Sequence, residues 1–202
     1  LILVAVIIVI FVTSICLGAK SQYYSAMEQS LINRANSTSQ FMNFFLNKSY
    51  TEFYNNSQSI VSDFAEKDKL ELSLIDSMGR VMFSSSGLTA GYIPSTGNIE
   101  QTLSQGISPA VWTGINPATG EKVMSVSCAL KYKNEQIVGA VCYTTSLVKV
   151  AEHLKILYLF ACGVGLFAFF LVFITNYVFI RSIVNPVLRL NEMTRQIADG
   201  NY

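Results

Sequence analysis

His153 is the single histidine in 202 residues, and it stands in "VAEHLKIL" beside a long apolar run. No serine occupies a G-x-S-x-G elbow, so Ser-His-Asp chemistry has no supporting motif. The stretches "GLTAG" (87–91) and "TGINPATG" (113–120) contain glycines but no phosphate-binding lysine at the required spacing. Of the four cysteines, Cys16 and Cys162 fall inside apolar runs, where small packing residues are expected. Cys128 and Cys142 fall on neighbouring predicted strands. A cross-strand bridge in an oxidising compartment is one reading; buried thiols are favoured, because paired cysteines in a sheet are geometrically demanding. Without C-x-x-C spacing and with one histidine, no metal site is expected. No catalytic residue and no cofactor are expected in these residues. The chemistry that remains is recognition. Arg80, Tyr92, Trp112, Tyr132 and Tyr143, with Lys122 and Lys131 near in sequence, supply aromatic walls and a cation suited to a small carboxylate or amino acid. Ordinary core or surface roles are the alternative for each, and a sheet without a pocket, answering to a partner protein, is a third reading.

The elements that must position these residues begin with two uncharged apolar runs. Only 13% of the chain is charged, against about 25% in a typical soluble domain. Residues 1–19 meet no charge before Lys20, and residues 156–180 are bounded by Lys155 and Arg181. Each approaches or exceeds the roughly 20 apolar residues that span a bilayer. A signal peptide is the rival for the first run, but no basic segment precedes it, and a second span makes a two-span protein coherent. Lys149 and Lys155 on one side, against Arg181, Arg189 and Arg195 on the other, favour a cytoplasmic C-terminal side. A net charge of +1 without a basic stripe gives no case for nucleic acid. Because Leu1 stands where a methionine would, the chain is expected to be a piece of a longer one.

Between the spans, Met27, Leu31, Ala35, Met42, Phe45, Leu46, Phe53, Ile60 and Phe64 recur at helical spacing, predicting one long helix or two. The asparagines and serines among them are expected to form a polar outer face, three N-x-S/T sequons at Asn36, Asn47 and Asn55 included. After Lys69 the period changes to two. "LELSLIDSMGRVMFSSS" reads as a hairpin about Asp76–Gly79, residues 84–98 as a loop, and "IEQTLSQG" as a short helix stopped by Gly106. "AVWTGI", "KVMSVSCALKY" and "QIVGAVCYTT" complete about five strands in antiparallel order. The predicted class is α+β, with a transmembrane helix over 1–19, a domain over 20–153, a second transmembrane helix over 154–180 and a juxtamembrane segment over 181–202.

This order, and "LSLIDSMGRVMFSS" with "YKNEQIVGAVCYTTSLVKV" in particular, resembles the extracytoplasmic PAS-like (Cache-type) sensor domains of bacterial receptors. In the last segment Asn185–Pro186 opens a helix, Ile183, Leu190 and Ile197 recur every seven residues, and Gly200 stops it. Pro186-Val187, Leu190, Met193, Ile197-Ala198, Gly200 and Asn201-Tyr202 resemble the first helix of a HAMP linker, with Asn201 in place of the commoner aspartate. The resemblance implies that Asn185, Pro186, Leu190, Met193, Ile197 and Gly200 couple the signal. It also implies a homodimer through HAMP and membrane helices, and a multi-pass protein of the bacterial plasma membrane with residues about 20–155 extracytoplasmic and 181–202 cytoplasmic. The output it points to first is a two-component sensor histidine kinase, whose ATP- and Mg-dependent kinase domain would lie beyond residue 202 and phosphorylate a cytoplasmic response regulator. A methyl-accepting chemotaxis receptor and a non-signalling membrane-anchored binding protein are the alternatives.

Overall fold

The computed structural model describes residues 2–117, 119–184 and 186. Helix α1 (Ile2–Lys48) is followed after one residue by α2 (Tyr50–Ser62). Five strands come next: β1 (Leu70–Asp76), β2 (Val81–Ser84), β3 (Ala110–Ile115), β4 (Lys122–Tyr132) and β5 (Gln136–Ser146), with α3 (Gly97–Gln105) between β2 and β3. Helix α4 (Val148–Phe179) closes the order, passing into a π-helical turn over Ile180–Val184. Two compact units result. One is Ser21–His153; the other gathers the start of α1 with α4 from Leu154 onward.

In the first unit the strands form one antiparallel sheet in the order β2-β1-β5-β4-β3. Its first hairpin turns where the sequence predicts. Asp76 Oδ1 accepts from the backbone N–H of Met78 and Arg80, both at 2.8 Å, and Gly79 takes the left-handed conformation that a side chain would resist. The α1–α2 break falls at Ser49, whose backbone is extended. Ser49 and Glu52 have capping-box spacing, yet the serine hydroxyl makes no capping bond, and Glu52 pairs with Lys48 at 3.0 Å.

Leu31, Ala35, Met42 and Leu46, spaced to share one face of α1, are buried, as are Leu72, Leu74, Val126, Leu130 and Val141 of the sheet. Each large apolar side chain so buried contributes about 1.5–3 kcal/mol. The asparagines and serines of α1 do not all face outward as expected. Ser39 Oγ donates to Ala129 O at 2.6 Å, Asn43 Oδ1 accepts from Lys131 N–H at 2.8 Å, and Asn36 Oδ1 accepts from the Cys128 thiol at 3.1 Å. Helical spacing puts these polar groups beside the buried stripe, where they register the helix on the sheet.

In the second unit the two helices are each long and apolar enough to cross a membrane, and none of either apolar window is buried. They approach closely at Gly165, where a Cβ would lie 3.1 Å from a Val12 methyl and 3.4 Å from an Ile8 methyl. Of the residues expected to couple the signal, Asn185, Leu190, Met193, Ile197 and Gly200 lie outside the described residues; Pro186 lies within them and is exposed.

Candidate functional site

Strand register sorts the sheet into two chemically different faces. Glu71, Thr144, Ser125 and Trp112 stand side by side across β1, β5, β4 and β3. The next row on the same face is Ser73, Cys142, Ser127 and Ala110, and then come Ile75, Ala140 and Ala129. Helix α3 lies on this face. Asn98 Nδ2 donates to Ser125 Oγ at 3.0 Å, Ser127 Oγ donates to Asn98 O at 3.0 Å, and the Thr102 and Ser127 hydroxyls are 2.7 Å apart. The intervening strand residues, one register position along, form the other face, where Leu72, Leu74, Met124, Val126, Leu130 and Val141 are buried.

The α3 face grades from apolar to polar. Ile75, Val81, Ile99, Ala140 and Cys142 pack as one cluster with Leu88 and Leu103 against it. Beyond them the hydroxyls begin: Ser125 and Thr144 are 2.9 Å apart, and Ser73 and Ser84 each donate to Glu71 Oε1 at 3.1 Å. Two oxygens of the α3 start are buried without a partner among the described residues, Thr96 Oγ1 and Asn98 Oδ1. An unmet buried polar atom is costly, about 1–3 kcal/mol, and Asn98 sits beside the hydroxyl-lined row. Trp112, the sole tryptophan, closes that row. Its indole lies across two glycines: a Cβ at Gly114 would be 2.3 Å from Cζ2, and one at Gly97 would be 3.1 Å from Cδ1.

Burial pushes the Cys142 thiol upward from its ordinary value, against the lowering effect of hydrogen bonds from Ser125, Asn98 and Thr144. Cys128 is pushed up to about 11, chiefly by burial. Both are therefore neutral at ordinary pH and poor nucleophiles. Their side chains cannot meet, because Cys142 is opposite Ser127 and belongs to the α3 face, whereas Cys128 is one position along and faces α1. The thiol reading holds and the bridge does not. Among the described residues no three histidine, cysteine or acidic side chains converge as metal ligands. The α3 face offers hydroxyl, amide and carboxylate groups that can donate and accept hydrogen bonds.

The five aromatic and basic residues singled out from sequence do not converge. Trp112 is on the α3 face. Tyr143 is on the other, its hydroxyl 3.0 Å from Thr38 Oγ1 and its ring against Phe64; burial raises its pKa, with the Thr38 bond opposing. Tyr132 lines a separate cavity of about 580 Å³ with Leu46, Phe53, Met82, Leu130 and Val138, at the α1–α2 break. Arg80 is exposed in the first turn, and Tyr92 is near it, since Tyr92 O accepts from Val81 N–H at 2.8 Å. Lys122 is exposed and Lys131 pairs with Glu135. The residues that sequence reasoning passed over are Glu71, Ser73, Ser125, Thr144 and Asn98. Their signal was a polar residue at every second position, "ELS" in β1 and "SVS" in β4, within otherwise apolar strands.

The ligand-binding domain of the Campylobacter jejuni chemoreceptor Tlp3, solved with 4-methylisoleucine, superposes with a TM-score of 0.52 at 13% identity, over 75% of this chain and 62% of that one. The ligand-binding domain of Mlp24 with asparagine gives 0.52 at 17% identity, over 74% and 63%. The fold is that of a Cache/PAS-like sensor domain. The sensor domain of the Vibrio cholerae histidine kinase DctB also matches, at a TM-score of 0.40 and 13% identity, over 64% of this chain and 58% of that one. The chain thus spans about six-tenths of the solved domains it matches. No protein-family model and no curated protein matches it.

Proposed function

We propose that the chain is the input half of a bacterial membrane receptor, in which residues about 20–153 face outward and take a small ligand between the sheet and α3. The observation that carries this reading is the polar row under α3, with two buried oxygens at the α3 start that no described residue satisfies. A ligand seated there would touch β1, β5, β4 and α3 together. It would shift the resting arrangement by no more than its differential affinity for the two states. Strand β5 carries Thr144 of that row and leads through Leu147 into α4, so the ligand and the outgoing helix share a strand. Helices α1 and α4 would cross the membrane, and the segment from Asn185 would be the first helix of a HAMP linker.

Two copies are expected to pair. From Ser21 to Asn47, α1 carries only Glu28 and Arg34 as charges, and Arg34 is engaged with Glu66 at 2.9 Å. Tyr23, Ser30, Ser37 and Phe44 recur every seven residues on its exposed side, Phe44 being 63% exposed. An uncharged seam of that period suits a parallel contact with its own copy, which brings like residues together.

For the output we keep the sensor histidine kinase as first reading, with ATP and Mg bound beyond residue 202 and a response regulator as partner. The chemoreceptor reading is second, favoured by the Tlp3 likeness. Incubating the full-length protein with labelled ATP and Mg decides between them: acid-labile phosphate on histidine is expected. Its absence, with long uninterrupted heptads after residue 202, sinks the kinase reading. In either case Pro186→Ala should abolish signal response while membrane insertion stays intact. A normal response would count against the HAMP reading.

A further inference from the structure

The cavity at the α1–α2 break has no part in the α3 face: none of the residues lining it belongs to α3 or to the polar row. Its volume is about 580 Å³, within the roughly 300–1,000 Å³ of small-molecule sites. The end of α1, the start of α2, the first β-turn and the end of β4 meet around it. Its floor is apolar. Leu46 and Phe53 from the two helices are buried, and Met82 and Val138 from the strands are half-buried. Its outer wall is aromatic: Tyr50 of α2 is 64% exposed and Tyr132 of β4 is 37% exposed, so both rings keep open surface where they line the cavity.

Three charged side chains line it as well, and each is met from within the protein. Lys48 pairs with Glu52 at 3.0 Å. Asp76 Oδ1 accepts from two backbone N–H groups at 2.8 Å. Lys133 Nζ stands 5.6 Å from the centre of the Tyr132 ring. With Glu52 included, positive and negative charges are equal in number, so the cavity favours neither sign of ligand. A charged ligand would lose hydration there without gaining a dedicated counter-charge. The hydroxyls are different: Ser49 makes no capping bond, and neither Ser49 nor Ser77 has a side-chain hydrogen bond among the described residues.

We infer that this cavity binds an uncharged molecule built on one aromatic ring, with a hydroxyl group and a short alkyl part. The ring lies between Tyr50 and Tyr132, whose faces and edges suit another ring. The alkyl part rests on Leu46, Phe53, Met82 and Val138, and the hydroxyl meets Ser49 or Ser77. This site is independent of the ligand proposed for the α3 face. That ligand acts through β5 and α4, whereas a molecule held here ties the end of α1 to the sheet.

Three probes share one phenol ring and differ in charge: 4-propylphenol, 3-(4-hydroxyphenyl)propionate and tyramine. A phenol remains uncharged at pH 7, since its pKa is about 10. Each is titrated by calorimetry into the whole chain in lipid nanodiscs, with the heat from empty nanodiscs subtracted. 4-Propylphenol should saturate at least about ten-fold more tightly than the anion or the cation. Val138→Phe, which fills the floor, should weaken it at least about ten-fold. Tyr50→Ala removes an exposed ring without touching the core and should weaken it at least about three-fold, so the outcome holds even where Val138→Phe lowers the thermal midpoint. Trp112→Ala on the α3 face should leave the affinity unchanged. No saturable heat beyond that of empty nanodiscs, equal binding of the three probes, or affinity unmoved in both cavity variants would overturn the inference and leave the α3-face reading untouched. Loss of binding in Trp112→Ala alone would overturn it too, by placing the ligand on the α3 face.

Discussion

Replacing Gly114 by alanine puts a methyl where the Trp112 indole lies. The added carbon would fall 2.3 Å from Cζ2, 2.6 Å from Cη2 and 2.9 Å from Cε2. Carbon atoms rest at about 3.5–4.0 Å, so the ring must withdraw by at least about 1.2 Å or the strand must bend. Overpacking of this kind costs about 1–3 kcal/mol. Against it, alanine removes backbone freedom from the unfolded chain and returns about 0.4–1 kcal/mol. The clash wins, and the net loss should be on the order of 1–2 kcal/mol, or several degrees in Tm. The mutant's tryptophan emission should also move to the red as the ring leaves its seat. The control is the double mutant. In a Trp112→Ala background Gly114→Ala has nothing to strike, so the same substitution should be neutral or slightly stabilising. A cycle of four proteins, followed by thermal melts in nanodiscs, measures the coupling. Equal destabilisation in both backgrounds, or unchanged emission in the single mutant, would refute the placement of the indole.

Two further outcomes follow from the other face and its thiol. Met42 of α1 is 0% exposed, with the Ser57 hydroxyl of α2 against its sulfur, so Met42→Ala should cost about 2–5 kcal/mol, read as a lowered denaturation midpoint. Cys128 has its pKa raised from 9.0 to about 11 by burial. The neutral thiol is favoured in the fold, so its contribution to stability is complete below pH 9 and is lost as pH rises toward about 11. Cys128→Ala should flatten that part of the stability–pH curve, and alkylation of Cys128 in the native protein, read by peptide mapping, should stay slow across it.

The strands were legible because each announces itself by alternation and each turn by its residues: Asp76 and Gly79 behave in the fold as their types demand. The short helix and its Gly106 stop were legible for the same reason, a left-handed glycine ending a run of helix formers. The site was less so. Sequence reasoning weighted aromatic and basic residues by type, but which side of a sheet a residue occupies depends on register, and register is set by pairing between distant strands. Trp112 and Tyr143, both aromatic and both on strands, end on opposite faces for that reason alone. The asparagines of α1 misled similarly. A polar residue in a helix can bond a sheet edge-on as readily as water, and only the packed partner decides, as Asn36 and Asn43 show.

The account stands on the α3 face being where a small molecule is received, and hydrogen–deuterium exchange with a panel of amino acids, short amines and short carboxylates tests that most directly. With the whole chain in nanodiscs, the ligand is predicted to slow exchange in β1 about Glu71, at the α3 start about Asn98, and in β4 and β5 about Ser125 and Thr144. Protection confined instead to the cavity of Leu46, Phe53 and Tyr132 at the α1–α2 break, or absent from the sheet altogether, would contradict it.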